Sequence, residues 1–196
     1  IWGKTGWFDC HAGGTFFRVF HKFIDVDIGG GTQSPFMVFY FMDRTDVEVA
    51  VKECTEARPV FGIIRIDNVS EVTADMTDME KSALLSDVTE RVLSYFSSRD
   101  GFIKQYSTTD FVTCISQKAL ADMMEENFDI LDRVREIHTV NRIPVTLSIG
   151  VVQSEDSFAR QFEEAQVSLD LALGRGGDQA IVRIGKDVRA FGGKSP

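Results

Sequence analysis

The stretch PVFGIIRIDN (59–68) limits the fold more than any other. It is a continuous apolar run that stops at Asp67-Asn68, as buried central strands do, and such a strand needs further layers to cover it. The chain after it keeps to the same pattern. Thr77 and Glu80 have the spacing of a capping box, and Leu84, Leu85, Val88, Val92 and Phe96 follow at helical intervals, which predicts a helix. GFIKQYS (101–107) and DFVTCIS (110–116) read as the two short strands of a hairpin around Thr108-Thr109. A second helix is expected from about residue 118 to 138, with Leu120, Met124, Phe128, Leu131, Val134 and Ile137 as its stripe. A strand at PVTLSIGVV (144–152), a third helix at 158–174 and a closing strand at QAIVRIG (179–185) complete the order β-α-β-β-α-β-α-β. That order predicts an α+β, ferredoxin-like core with additions, in which a mixed sheet packs helices on one face.

The first third differs. TFFRVFHKFIDVDI (15–28) and PFMVFYFMD (35–43) flank the turn-rich GGGTQS (29–34) and predict a β-hairpin. The preceding IWGKTGWFDCHAGG is too short to complete a domain. An isolated hairpin is marginal in water, so this one must pack on something else or on a second copy, which makes a homodimer the expected assembly. Residues 43–57 read as a connecting helix with Val47, Val51 and Cys54 on one stripe. The division expected is therefore 1–57 as hairpin and linker helix, and 58–196 as the α+β domain.

Composition excludes several functions. A formal net charge of -9 over 196 residues, with no clustered Lys and Arg, argues against a nucleic-acid partner. No apolar run approaches the ~18 residues that span a bilayer, and no signal-peptide pattern begins at Ile1, where the missing Met suggests a cut chain; the expectation is a soluble fragment. Cys10, Cys54 and Cys114 are scattered and odd in number, the usage of a reducing compartment. Cys10, His11 and His21 make a poor metal or haem set, because adjacent strand residues point to opposite faces.

The topology is also that of nucleotide cyclase and GGDEF domains, and the residues extend the resemblance. STTDF (107–111) stands where an active domain has its Gly-Gly-Asp/Glu-Glu-Phe hairpin, and RIDN (65–68) where it has the D-x-D strand end. Asp67, Asp110 and Phe111 fit the pattern. Arg65 and Thr109 replace the metal-binding acids, Thr73 replaces a guanine-contacting asparagine, and Ser107 and Thr108 replace the glycines. Two Mg²⁺ ions on a triphosphate need hard carboxylate ligands, which an arginine and a threonine do not supply. Diguanylate cyclase activity is not expected.

PVFGIIRIDN (59–68), VTLSIGV (145–151), SLDLALGRGGDQ (168–179) and FGGKSP (191–196) together resemble the membrane-anchored cyclic di-AMP phosphodiesterases that carry a PAS domain, a modified GGDEF domain and a DHH-type phosphodiesterase. The resemblance covers about 58–196, while 15–57 resembles only the last strands of a PAS domain and its exit helix. It implies a regulatory portion on the cytoplasmic side of a bacterial membrane, partnered by a DHH domain that holds Mn and that this chain lacks. It also associates the modified GGDEF domain with weak ATP hydrolysis, for which Mg or Mn would be needed. A nucleotide site would then draw on Asp67, Asn68 and Asp110 and on the turn Arg175, Gly176, Gly177 and Asp178. The same turn also reads as a helix cap, since phosphates favour helix N-termini and this is a C-terminus, or as a docking surface for the missing domain. Asp67 and Asn68 could equally close a turn, and Asp110 could simply hydrogen-bond within its hairpin.

Overall fold

The structure is a computed structural model and describes residues 5–27, 29–30 and 32–193; Ile1 and residues 194–196 of the FGGKSP match lie outside them. The chain divides into two compact units, Ile1–Thr55 and Glu56–Pro196.

The first unit holds β1 (Thr5–Ala12), β2 (Thr15–Asp27) and β3 (Gln33–Asp43), an antiparallel meander in that order, and then α1 (Thr45–Glu56). The expected hairpin thus has a third strand, supplied by residues that looked too short to matter. Gly13 and Gly14, at φ +59° and +83°, close a two-residue turn between Ala12 and Thr15, and only glycine adopts both angles without strain. Across β1 and β2, Arg18 pairs with Asp9 at 2.8 Å and lies 4.2 Å from the centre of the Trp7 ring. Asp43 accepts from the Thr45 amide and hydroxyl and so starts α1. Among the described residues of this unit, Val19 is the one buried side chain.

The second unit contains β4 (Pro59–Ile66), α2 (Val69–Val72), α3 (Asp78–Ser97), β5 (Phe102–Gln105), β6 (Asp110–Ser116), α4 (Gln117–Glu125), α5 (Ile130–Arg135), β7 (Leu147–Gln153), α6 (Phe158–Gly174), β8 (Gln179–Ile184) and β9 (Asp187–Gly192). Its sheet runs β5-β6-β4-β7-β8-β9, with β7 and β8 parallel and the other neighbours antiparallel. β4, β5, β6 and β7 keep the ferredoxin-like order expected, and α6 crosses over to β8. The capping box that opens α3 is formed: Glu80 N donates to the Thr77 hydroxyl, and Thr77 N donates to the Glu80 carboxylate.

Three expectations are corrected. The helix of 118–138 is broken: Asn127 and Phe128 sit at φ +52° and +53°. Phe128 N donates to Met123 O and Asn127 N to Met124 O, the two bonds of a Schellman stop. Phe128 still points inward, fully buried against Phe191, and this burial offsets the cost of its backbone. Secondly, the sheet does not close at β8. Gly185 at φ +58° turns the chain into β9, antiparallel to β8.

The third correction concerns the layers. One face of the sheet, with Val60, Ile64, Ile66, Leu147, Ile149, Val151 and Val182, packs on the main core with α3, α4 and α5. The opposite face carries α6, whose Ala165 and Leu169 meet Ile63 and Val152. Helices therefore lie on both faces. Gly150 makes the second layer possible, because a Cβ there would stand 2.3 Å from Ala165 O and 2.4 Å from Leu169 N. α6 rests directly on the bare backbone of β7.

Candidate functional site

The pairing registers set Arg65 of β4 opposite Asp110 of β6 on one side and Ser148 of β7 on the other. Alternation along β4 puts Asp67 two residues beyond Arg65, at the same end of the sheet. Four polar side chains thus form a row on the face that α6 covers further along.

Arg65 Nε donates to Asp110 Oδ1 at 2.5 Å. The other oxygen of Asp110 accepts from the hydroxyls of Ser107 (2.5 Å) and Thr109 (3.0 Å), and Ser107 Oγ also receives the Asp110 amide. Burial alone would raise the Asp110 pKa, but the bonds from Ser107, Arg65 and Thr109 outweigh it and hold the carboxyl below its ordinary range. The same bond to Asp110 raises Arg65. The hairpin that carries STTDF is thus closed around an internal ion pair.

Asp67 behaves differently. Its Oδ2 accepts from Ser148 Oγ at 2.9 Å and from the Asp178 amide at 3.0 Å. Burial pushes its carboxyl above the ordinary value, against the opposing pull of those bonds. Asn68 turns away, donating to Pro144 O at 2.8 Å and accepting from Thr146 N at 3.1 Å, which ties the end of β4 to the entry of β7. Thr73 is buried and donates to Val69 O at 2.7 Å, closing the turn of α2.

The turn Arg175-Gly176-Gly177-Asp178 is built as a helix stop. Gly176 N donates to Leu173 O and Gly177 N to Ala172 O, the Schellman pair for α6, with the glycines at φ +106° and +73°. Arg175 Nε donates to Gln179 Oε1 at 3.1 Å. Asp178 takes both its carboxylate oxygens to Arg135 Nε, at 2.8 and 2.9 Å. The amides of the turn are engaged within the domain, Arg175 gives its Nε to Gln179, and the turn lies at the negative end of the α6 dipole.

The structure therefore brings Asp67 and Asp178 together, with Gly177 packed on Asp67, while Asp110 sits with Arg65, Asn68 faces residues 144–146 and Arg175 faces Gln179. Two residues of the cluster escaped the sequence reading. Ser148 is a lone polar residue in an apolar strand, a signal that was available; Arg135, at the end of α5, gave none. A divalent cation would find a single free carboxylate oxygen here: both oxygens of Asp110 and Oδ2 of Asp67 already have donors, while Asp67 Oδ1 is buried without a hydrogen-bond partner, and one oxygen does not make a cation site. Among the described residues, no three His, Cys, Asp or Glu side chains gather in a cation-binding group.

The sheet order, the α6 crossover and the closed hairpin define a nucleotide-cyclase-like domain of the GGDEF class. The active GGEEF domain of a diguanylate cyclase from Vibrio cholerae superposes with a TM-score of 0.55 at 16% identity, over 70% of this chain and 89% of that one. A diguanylate cyclase/phosphodiesterase from Caldicellulosiruptor saccharolyticus gives 0.57 at 14% identity, over 73% and 85%. These likenesses carry the fold alone. Residues 64–189 match the family described as Cyclic-di-AMP phosphodiesterase GdpP-like, GGDEF domain, and the chain belongs to that family. It is 39% identical over 160 residues to the cyclic-di-AMP phosphodiesterase PdeA of Listeria monocytogenes, which is 81% of this chain and 24% of that protein. With GdpP of Bacillus subtilis the identity is 35% over the same shares. The chain thus spans about a quarter of the length of these curated relatives.

Proposed function

We propose that this chain is the regulatory, signal-transmitting portion of a cyclic di-AMP phosphodiesterase, without cyclase activity of its own, and that catalysis belongs to a DHH-type domain elsewhere in the parent protein. The observation that carries this reading is the Arg65–Asp110 pair: a guanidinium neutralises the remaining acid of the hairpin where a cyclase would need a cation and open carboxylates. The apolar sheet of the first unit supports a homodimer. On this reading the parent protein works at the cytoplasmic side of a bacterial membrane; among the described residues no helix is long and apolar enough to cross one.

The competing reading is a weak ATPase using Mg or Mn, with Asp67, Asn68, Asp110 and the 175–178 turn on the nucleotide. The capped turn and the Arg65–Asp110 pair favour regulation over it. Product analysis with ATP or GTP and Mg²⁺ or Mn²⁺ tests the choice, run beside an Asp67→Ala, Asp110→Ala double variant. The expected result is no nucleotide product from either protein. ADP that falls in the double variant would establish the ATPase, and a cyclic dinucleotide from GTP would overturn the role given to Arg65.

A further inference from the structure

Asp178 is held from three directions. Its carboxylate receives Arg135 from the end of α5. Its amide donates to Asp67 at the end of β4. Its carbonyl accepts from Gly193 N at 2.9 Å, just past β9. One residue therefore ties the ends of α5 and β4 to the end of β9. Its backbone stands at φ +55°, in the left-handed region that non-glycine residues adopt uncommonly, and the bond from its amide to Asp67 helps to hold it there.

The contact with Asp67 is close. A Cβ on Gly177 would lie 2.8 Å from Asp67 Oδ2, so the carboxylate rests against the bare backbone of the turn. On the other side, a Cβ on Gly192 would lie 2.5 Å from Leu131 Cδ1 and 3.1 Å from Asp178 O. The end of β9 is thus seated between α5 and the turn, with little room to shift while Asp178 keeps its geometry.

We infer that Asp178 is a clasp coupling the state of Asp67 to the seating of the C-terminal end of β9. With Asp67 in place, the Asp178 amide is fixed and its carbonyl faces Gly193. When a ligand or a substitution withdraws Asp67, the Asp178 backbone loses the bond that holds it left-handed, and Gly193 loses its partner. Arg135 keeps the side chain anchored, so the response is a rotation within the 175–178 turn, and the β8–β9 ladder stays paired. The coupling is a property of the domain and holds whether or not the chain turns over nucleotide, so its failure would leave the regulatory reading standing.

Amide hydrogen exchange on the 196-residue chain tests it. In Asp67→Ala, the amides of Asp178 and Gly193 are expected to exchange about tenfold faster, with Ile181 and Val182 unchanged. Asn68→Ala is the control: it cuts two bonds at the same end of β4 without touching Asp178, and Gly193 should stay within about twofold of wild type. If Asp67→Ala does not fold, Asp67→Ser keeps a polar group at the strand end but is one atom too short to reach Asp178, and should read the same way. Unchanged exchange at Gly193 in the Asp67 variant, or an equal rise in both variants, overturns the clasp.

Discussion

β4 in the second unit and β3 in the first are both apolar runs, yet they end in different environments. β4 sends Val60, Ile64 and Ile66 into one core and Ile63 into another, all of them at most 2% exposed. β3 carries Phe36, Phe39 and Phe41, each close to half exposed or more. The difference lies in what crosses over each strand. In the second unit α3, α4, α5 and α6 pack their buried side chains on the sheet, whereas the first unit is a meander whose one helix, α1, has no buried residue. Apolar content sets the demand for burial, and connectivity decides whether the same chain can meet it.

The largest expected effect tests this at two glycines. Gly150→Val would drive a side chain into the α6 backbone, which has no rotamer to adopt, and should cost the second unit about 3 kcal/mol or more. Gly6 also has a close neighbour, 2.6 Å from a built Cβ, but that neighbour is the His21 ring, which can swing away. Gly6→Ala should leave the urea midpoint of the second unit where it is. Equal effects would mean that the two sheets are covered alike.

Charge pairs sharpen the same contrast. The side chain of Asp110 is 13% exposed, and Arg65→Met should cost about 1–3 kcal/mol at neutral pH by leaving that carboxylate short of its cation. The native Asp110 pKa lies below its ordinary value of 3.8, so the stability it contributes is complete above that value and is lost as the pH falls through the native one. The gap between wild type and Arg65→Met should therefore narrow on acidification below about pH 4, measured by urea unfolding at several pH values. The Arg18–Asp9 pair of the first unit has side chains 27% and 55% exposed, and Arg18→Met should give no measurable change.

How far the sequence could be read follows from the same physics. The limits of α6, 158–174, were legible because its apolar stripe and glycine stop are local signals. The α3 start was legible through Thr77 and Glu80. The break at Asn127-Phe128 was not, since Phe128 fits the helical stripe and only its burial against Phe191 explains why it leaves the helix. β1 was hidden because its partner, rather than its own length, makes it a strand; Gly13-Gly14 was the available signal. At the site, the departures at Arg65 and Thr109 were readable only against the GGDEF pattern that these segments resemble. That Arg65 would turn to Asp110, and that Asp67 would be claimed by Ser148 and Asp178, depends on strand register and on a contact 111 residues away in sequence. Local patterns do not carry such pairings.

The smallest effect on stability is expected where the exposed surface is greatest. Phe39 and Phe41 share a face of β3, their rings 6.5 Å apart, and are 48% and 58% exposed. Replacing both with Ser removes little burial within the chain, so the unfolding midpoint of the second unit should not move. Self-association should move instead. If a second copy covers this face, light scattering will show wild type as a dimer and the Phe39→Ser, Phe41→Ser variant as a monomer, because each phenylalanine taken out of water contributes roughly 1.5–3 kcal/mol. A wild-type chain that stays monomeric at high concentration would show that the sheet takes its cover from something other than its own copy, and the homodimer would fall while the contrast between the two units stood.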